Sequence, residues 1–180
     1  MPTWIGLLRG INVGGRHRLP MPELVRCLDG IGCSGARTYI QSGNVVFDSP
    51  RTGRAALAAD VAAAVEAARG FRPEVVLLTR AELSAAIEAN PFPEATAAPA
   101  TLHVFFLARP PRDANLAALE SLAAASERFR LVGNAFYLHA PDGLGRSKLA
   151  QVVERHLGVP ATARNWRTVD MLRQLAESLG

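Results

Sequence analysis

Lysine and aromatic residues are scarce in this sequence of 180 residues, and cysteine occurs only twice. Lys148 is the single lysine among 20 basic residues, so one arginine is weak evidence for a site and Lys148 is stronger evidence. Cys27 and Cys33 lie six positions apart, a spacing that matches neither a zinc site nor a redox motif. Cys27 falls on the apolar face of an expected helix, which predicts a buried, reduced thiol.

Long hydrophobic runs and a strong net charge are also missing. The first apolar run, Trp4 to Leu8, stops at Arg9 and has no basic segment before it, so we expect no signal peptide, no membrane span and a cytoplasmic protein. The formal net charge is +4, with +2 in each half of the chain. Such a charge allows an anionic partner but is small for a dedicated nucleic-acid binder.

Several familiar catalytic and cofactor motifs are absent. Lys148 follows Ser147 rather than glycine, which excludes a P-loop, and Ser42 lacks the preceding glycine of a nucleophile elbow. The four histidines share no metal-ligand spacing. The sequence therefore predicts neither a metal nor a cofactor, and it identifies no catalytic residue.

Hydrophobic periodicity predicts an α+β fold in the first half. Residues 1–90 follow the order β-α-β-β-α-β of a ferredoxin-like unit, with a hairpin around Ser42-Gly43 and a helix over 53–69. An extra helix over 80–89 starts at a capping box formed by Thr79 and Glu82. The Pro- and Ala-rich stretch 91–100 is the expected connector.

Residues 101–180 predict a second ferredoxin-like unit (a split βαβ arrangement) in tandem with the first. Its expected order is β-α-β-β-α-α, with helices over 112–126, 146–157 and 166–178, so the unit is incomplete: its final strand is missing and it ends in an extra helix.

Three segments carry the polar residues that suggest function. The first, Leu8 to Arg18, follows a strand and holds three glycines, three arginines and no acid, a composition suited to cradling an anion. The second, Gln41 to Asn44, consists of residue types that favour a turn, and its polar side chains could equally hydrogen-bond a ligand. The third runs from Asp142 to Thr168 and is rich in basic residues beside two expected helix N-termini, where Ser147 and Asn165 suit N-cap positions.

The same segments resemble a bacterial family, the domain of unknown function DUF1697. The resemblance rests on LLRGINVGG near the start, TYIQSGNVVF in the middle, SKL at 147–149 and RNWRTV at 164–169. It implies a cytoplasmic protein built from ferredoxin-like units and supplies no activity, substrate or cofactor. One departure is the Arg16-His-Arg run, where the family pattern is richer in lysine.

The leading hypothesis is binding of a phosphorylated or nucleotide-like small anion. The residues predicted to bind it are Arg9, Asn12, Gln41, Ser42, Asn44, Lys148, Arg164, Asn165 and Trp166. Three alternatives stay open at this point. They are a hydrolase or transferase acting on such a ligand, weak nucleic-acid binding through the basic C-terminal part, and a structural homodimer formed through the hairpin or a sheet edge.

Overall fold

The computed structural model describes residues 1–179, and the chain divides into two compact units. The first unit holds Met1–Ala85 together with the residues from Asp170 onward, and the second holds Ala86–Val169. The sequence assigned everything from residue 101 to the second unit, whereas the structure groups the C-terminal helical segment with the first.

The first unit contains a four-stranded antiparallel sheet in the order β2-β3-β1-β4, with two helices and a third after the last strand. In chain order the elements are β1 (Thr3–Arg9), α1 (Met21–Gly30), β2 (Ser34–Tyr39), β3 (Asn44–Asp48), α2 (Arg54–Arg69), β4 (Glu74–Thr79) and α3 (Arg80–Glu88), the last of which continues past Ala85 into the second unit. This order along the chain and across the sheet is that of a ferredoxin-like unit, as the sequence predicts.

The central strand β1 is apolar because neighbours cover both of its faces. Ile5 and Leu7 are fully buried, and Trp4 and Leu8 point to the opposite face and join the core under α1 and α2. Gly6 lies between them, where a Cβ would come within 3.0 Å of Val45 on β3. A larger residue here would push β3 away from β1.

The start of α3 confirms the predicted capping box. The Glu82 backbone N–H donates to the Thr79 hydroxyl over 3.2 Å, and the Thr79 N–H donates to the Glu82 carboxylate over 2.8 Å. Arg54, from the first turn of α2, donates to both oxygens of the same carboxylate. The box therefore connects α3 to α2 as well as capping it.

The second unit contains another four-stranded antiparallel sheet, in the order β6-β7-β5-β8. Its elements are β5 (Leu102–Leu107), α4 (Leu116–Leu122), β6 (Arg128–Val132), β7 (Ala135–His139), α5 (Val153–Leu157) and β8 (Ala161–Asn165), followed by α6 (Trp166–Leu179), whose later part belongs to the first unit. The α+β class and the tandem ferredoxin-like arrangement are thus confirmed.

The prediction that the final strand of this unit is missing is wrong. Residues 161–165 form β8, which pairs with β5 from Ala161↔Leu107 to Asn165↔His103. The segment holds two alanines and a single β-branched residue, so its composition gives little strand signal. Pairing with the buried strand β5, a tertiary contact, makes it a strand.

Two predicted helices are shorter in the structure. The helix expected over 112–126 begins only at Leu116, because Asn115 caps it by accepting from the Ala118 N–H, and the backbone becomes extended at Ala123. The helix expected over 146–157 consists of 3-10 turns followed by α5 alone. Within residues 1–179, none of the helices has both the length and the apolar character that crossing a bilayer requires.

Candidate functional site

The connection between β1 and α1, residues Gly10–Pro20, is called the first loop. Five of its residues have positive φ angles between 50° and 74°: Gly10, Asn12, Gly14, Gly15 and His17. Two of them are not glycine, and a left-handed conformation is uncommon for such residues. Their conformation therefore depends on contacts that hold the loop.

Asn12 provides those contacts. Its side-chain amide donates to the Leu19 carbonyl over 2.9 Å and to the Gln41 carbonyl over 2.7 Å, while its oxygen accepts from the Leu19 N–H over 2.9 Å. Its backbone N–H donates to the His17 carbonyl over 3.0 Å. Asn12 thus closes the first loop on itself and joins it to the β2–β3 connection.

That connection, residues Ile40–Gly43, is called the hairpin turn. Gly43 has a φ of 77°, and a Cβ there would lie 2.8 Å from side-chain atoms of Leu8 and Ile11, so only glycine lets the turn come this close to β1. The next residue, Asn44, is fully buried, and its amide donates to the Tyr39 carbonyl and to the Ser42 hydroxyl.

His17 is held at the far end of the first loop. Its ring stacks on Phe71 with 4.6 Å between ring centroids, and its Nδ1 lies 3.0 Å from the Gly10 carbonyl. A nitrogen facing a carbonyl must carry the proton, which makes Nδ1 the donor and leaves Nε2 as the second polar atom of this exposed ring.

The charges on the first loop are all positive. Arg16 and Arg18 are exposed, and neither forms an ion pair with any residue among 1–179. Arg9, directly before the loop, lies 3.2 Å from Glu74. The backbone of the loop is also braced, since Arg69 donates to the Arg18 carbonyl over 2.8 Å. The first loop therefore presents two arginine side chains on a supported backbone.

In the second unit, Ser147 and Lys148 follow a 3-10 turn. Ser147 is buried, and its hydroxyl accepts from the Ala150 N–H over 3.0 Å, but the expected α-helix does not begin here, because a 3-10 segment with Leu149 at its N-cap follows. Lys148 is exposed and, across the described part of the chain, forms no ion pair.

Arg164, Asn165 and Trp166 lie where β8 passes into α6. Arg164 donates to the Thr162 hydroxyl over 2.7 Å and to the Ala163 carbonyl over 2.8 Å, and burial lowers its pKa to about 10. The guanidinium therefore stays charged at neutral pH. Asn165 accepts from the Thr168 N–H over 3.0 Å, which confirms it as the N-cap of α6.

The structure thus brings Asn12, Gln41, Ser42 and Asn44 into one hydrogen-bonded group within the first unit. Arg164, Asn165 and Trp166 are consecutive in the second unit. Sequence reasoning used Gly43 only as turn chemistry, although a glycine within a hairpin is also a signal for a close backbone approach.

One histidine has lost its usual basicity. His103 on β5 is buried, its Nδ1 has no hydrogen-bond partner among the described residues, and burial lowers its pKa to about 4. It is neutral at physiological pH. Among residues 1–179, no three or more histidine, cysteine, aspartate or glutamate side chains are placed to hold a metal ion.

Comparison with known proteins now adds the family. A family model described as "Protein of unknown function (DUF1697)" matches residues 1–137. The chain belongs to this family. A solved structure from Streptococcus pneumoniae, titled as that of the conserved bacterial protein SP0830, matches with a TM-score of 0.76 and 24% identity. The match covers 97% of this chain and 98% of that one, and it shows a shared fold. No curated protein matches the chain.

Proposed function

We propose that this DUF1697 protein binds a phosphorylated or nucleotide-like small anion, and that the first loop is the principal contact. The observation that carries the proposal is a preformed loop whose charged side chains are all cations. Arg16 and Arg18 are exposed without an ion pair in the described chain, on a backbone that Asn12 and Arg69 already support.

Preorganisation favours binding because the loop does not have to be ordered when the ligand arrives. Successive residues near αR and αL conformations form concave backbone N–H arrays that suit anions, and five of the eleven loop residues have positive φ. Arginine pairs with phosphate through two parallel hydrogen bonds. The loop therefore combines backbone donors with guanidinium groups at one place.

The hairpin turn would hydrogen-bond the uncharged part of the ligand. The Gln41 carbonyl is occupied by Asn12, whereas its side chain is exposed beside the first loop. In this proposal, Gln41 and Ser42 contact the ligand, and Asn12 and Asn44 act as positioning residues that hold loop and turn. Arg9, at the start of the loop, is ion-paired with Glu74 and therefore adds little net positive charge there.

The other predicted residues lie in the second unit, and we propose Lys148 and Arg164 as anion contacts of that unit alone. Lys148 is an exposed cation, and Arg164 stays charged at neutral pH because its pKa of about 10 is well above 7. Neither residue is assigned to the first-loop site, and of the other two predicted residues Asn165 caps α6 and Trp166 begins it.

We also propose that the protein is cytoplasmic. Cys27 and Cys33 are both free thiols, which suits a reducing compartment. Burial raises the pKa of both thiols, so they stay protonated and weakly reactive.

A thermal-shift screen tests the proposal with adenosine triphosphate, ribose 5-phosphate, coenzyme A and a short oligonucleotide at two salt concentrations. A ligand at 100 times its dissociation constant stabilises by about 2.7 kcal/mol, which at this chain length raises the melting temperature by roughly 5–10 °C. We expect the shift with a small anion to disappear in the Arg16→Ala/Arg18→Ala double variant.

The matched control is Arg26→Ala/Arg80→Ala, which removes two exposed arginines of the same unit that also lack ion pairs among residues 1–179. Equal losses in the two double variants would mean that the effect is only net charge, and would overturn the assignment to the first loop. A shift seen only with the oligonucleotide and lost at high salt would support nucleic-acid binding instead.

A further inference from the structure

A cleft of about 480 Å³ opens in the second unit, beside the connection between β5 and α4. No residue of this cleft was among those predicted from the sequence. Its lining combines two cations, one acid and apolar side chains: Arg109, Pro110, Arg112, Asp113, Leu157 and Val159. The volume lies in the range of pockets that hold small organic molecules.

The connection between β5 and α4, which forms one wall of this cleft, is held by hydrogen bonds at both of its ends. The Ala108 N–H donates to the Pro160 carbonyl over 2.9 Å, and the Asn115 N–H donates to the His156 carbonyl over 2.8 Å. Between these two points, Pro110 and Pro111 restrict the backbone φ angles. The connection is therefore tied to α5 and to the segment between α5 and β8, and its two arginines are attached to a constrained backbone.

The charged side chains of the cleft lack ion pairs within residues 1–179. Arg109 and Arg112 are exposed, and neither forms an ion pair with any described residue; the same holds for Asp113, although it lines the same cleft. Two guanidinium groups suit a phosphate dianion, and a carboxylate accepts hydrogen bonds from hydroxyl groups. Pro110 supplies an exposed apolar surface next to them, whereas Leu157 and Val159 belong to the buried core behind the cleft.

We propose that this cleft binds a phosphorylated sugar or polyol. Arg109 and Arg112 hold the phosphate, Asp113 accepts from the hydroxyl groups, and the carbon skeleton lies against Pro110. The inference is independent of the first loop, because every residue that lines the cleft belongs to the second unit and the first loop belongs to the first.

Nuclear magnetic resonance titration with ribose 5-phosphate separates the two sites. We expect the amide signals of Gly158 and Val159 to move with the sugar phosphate, and their dissociation constant to rise at least about tenfold in Arg109→Ala and in Arg112→Ala. The matched control, Arg130→Ala, removes another exposed arginine of the second unit and should leave the constant unchanged. Amide shifts of Gly14 and Gly15 report the first loop separately.

Asp113→Asn tests the role of the acid. If Asp113 accepts from sugar hydroxyls, the variant binds ribose 5-phosphate more weakly relative to inorganic phosphate than the wild type does. A variant that binds both probes more tightly would show that Asp113 only repels anions, and would overturn the sugar part of the proposal. Absence of shifts at Gly158 and Val159 with either probe, or an equal loss in Arg130→Ala, would overturn the site itself.

Discussion

The Asn12 side chain makes three hydrogen bonds within the protein. Both amide hydrogens are donated to backbone carbonyls and the side-chain oxygen accepts a backbone N–H, so three backbone groups of Leu19 and Gln41 depend on one side chain. In a sequence, an asparagine that closes a loop looks the same as one that faces a ligand. The position could therefore be predicted as important, but the direction of its side chain could not.

We expect Asn12→Ala to lower the free energy of unfolding by about 2–4 kcal/mol, because it leaves those backbone groups without partners and places alanine at a φ of 53°. Urea unfolding measures the change. Asn12→Gly is the matched control: it loses the same hydrogen bonds without the backbone strain, and should be about 1 kcal/mol less destabilised. A loss below 1 kcal/mol in the alanine variant would contradict this account.

His103 should make the free energy of unfolding depend on pH. Its pKa is about 4 in the folded protein and about 6.5 when exposed, so the unfolded chain binds the proton first as pH falls. The folded state then loses about 2 kcal/mol between pH 7 and pH 5 from this residue alone. Urea unfolding at both pH values should show a smaller loss in His103→Leu. The control His156→Leu, which leaves His103 in place, should keep the wild-type loss.

At the scale of elements, the long amphipathic segments were predictable and the short ones were not. The helix over residues 54–69 and the capping box at Thr79 follow from local chemistry, and both are present. The strand β8 and the short α5 carry weak local patterns, and pairing or packing with neighbours decides their conformation. Local signals fail where an element is shorter than two turns or lies at a sheet edge.

The hairpin turn contains a residue that its conformation does not favour. Ile40 has a φ of 49° and is 54% exposed, so its β-branched side chain gains little burial in return for the strain. We expect Ile40→Asn to raise the free energy of unfolding by about 1 kcal/mol, measured by urea unfolding. The control Val132→Asn, at an exposed strand position with ordinary φ, should be destabilised instead. Destabilisation of both variants would argue against strain at Ile40.

At the scale of the whole molecule, the two units share a topology, but the first unit is built from two separate stretches of the chain. The first unit includes residues from Asp170 onward, and a Cβ at Gly35 on β2 would lie 3.3 Å from the Leu179 side chain. Arg37 on β2 also donates to the Ser178 hydroxyl over 2.9 Å. The periodicity of α6 predicts a buried face, but periodicity does not say which sheet that face covers.

Truncation after Val169 should destabilise the first unit by at least about 3 kcal/mol, because Leu172 and Ala176 are buried on the removed segment. Hydrogen exchange should become faster in β2, which Ser178 and Leu179 contact. Leu172→Ala, which keeps the chain intact, should cost about 2–4 kcal/mol. Faster exchange confined to the second unit would show that the segment does not support the first.

The division of the first unit between two stretches of chain has a consequence during synthesis. A ribosome adds about 5–20 residues per second, so the segment from Asp170 is made roughly 4–17 seconds after Ala85. Throughout that time the nascent first unit exposes the surface of β2 that Ser178 and Leu179 later contact. The packing of the first unit is therefore completed only after the last residues of the chain have been made.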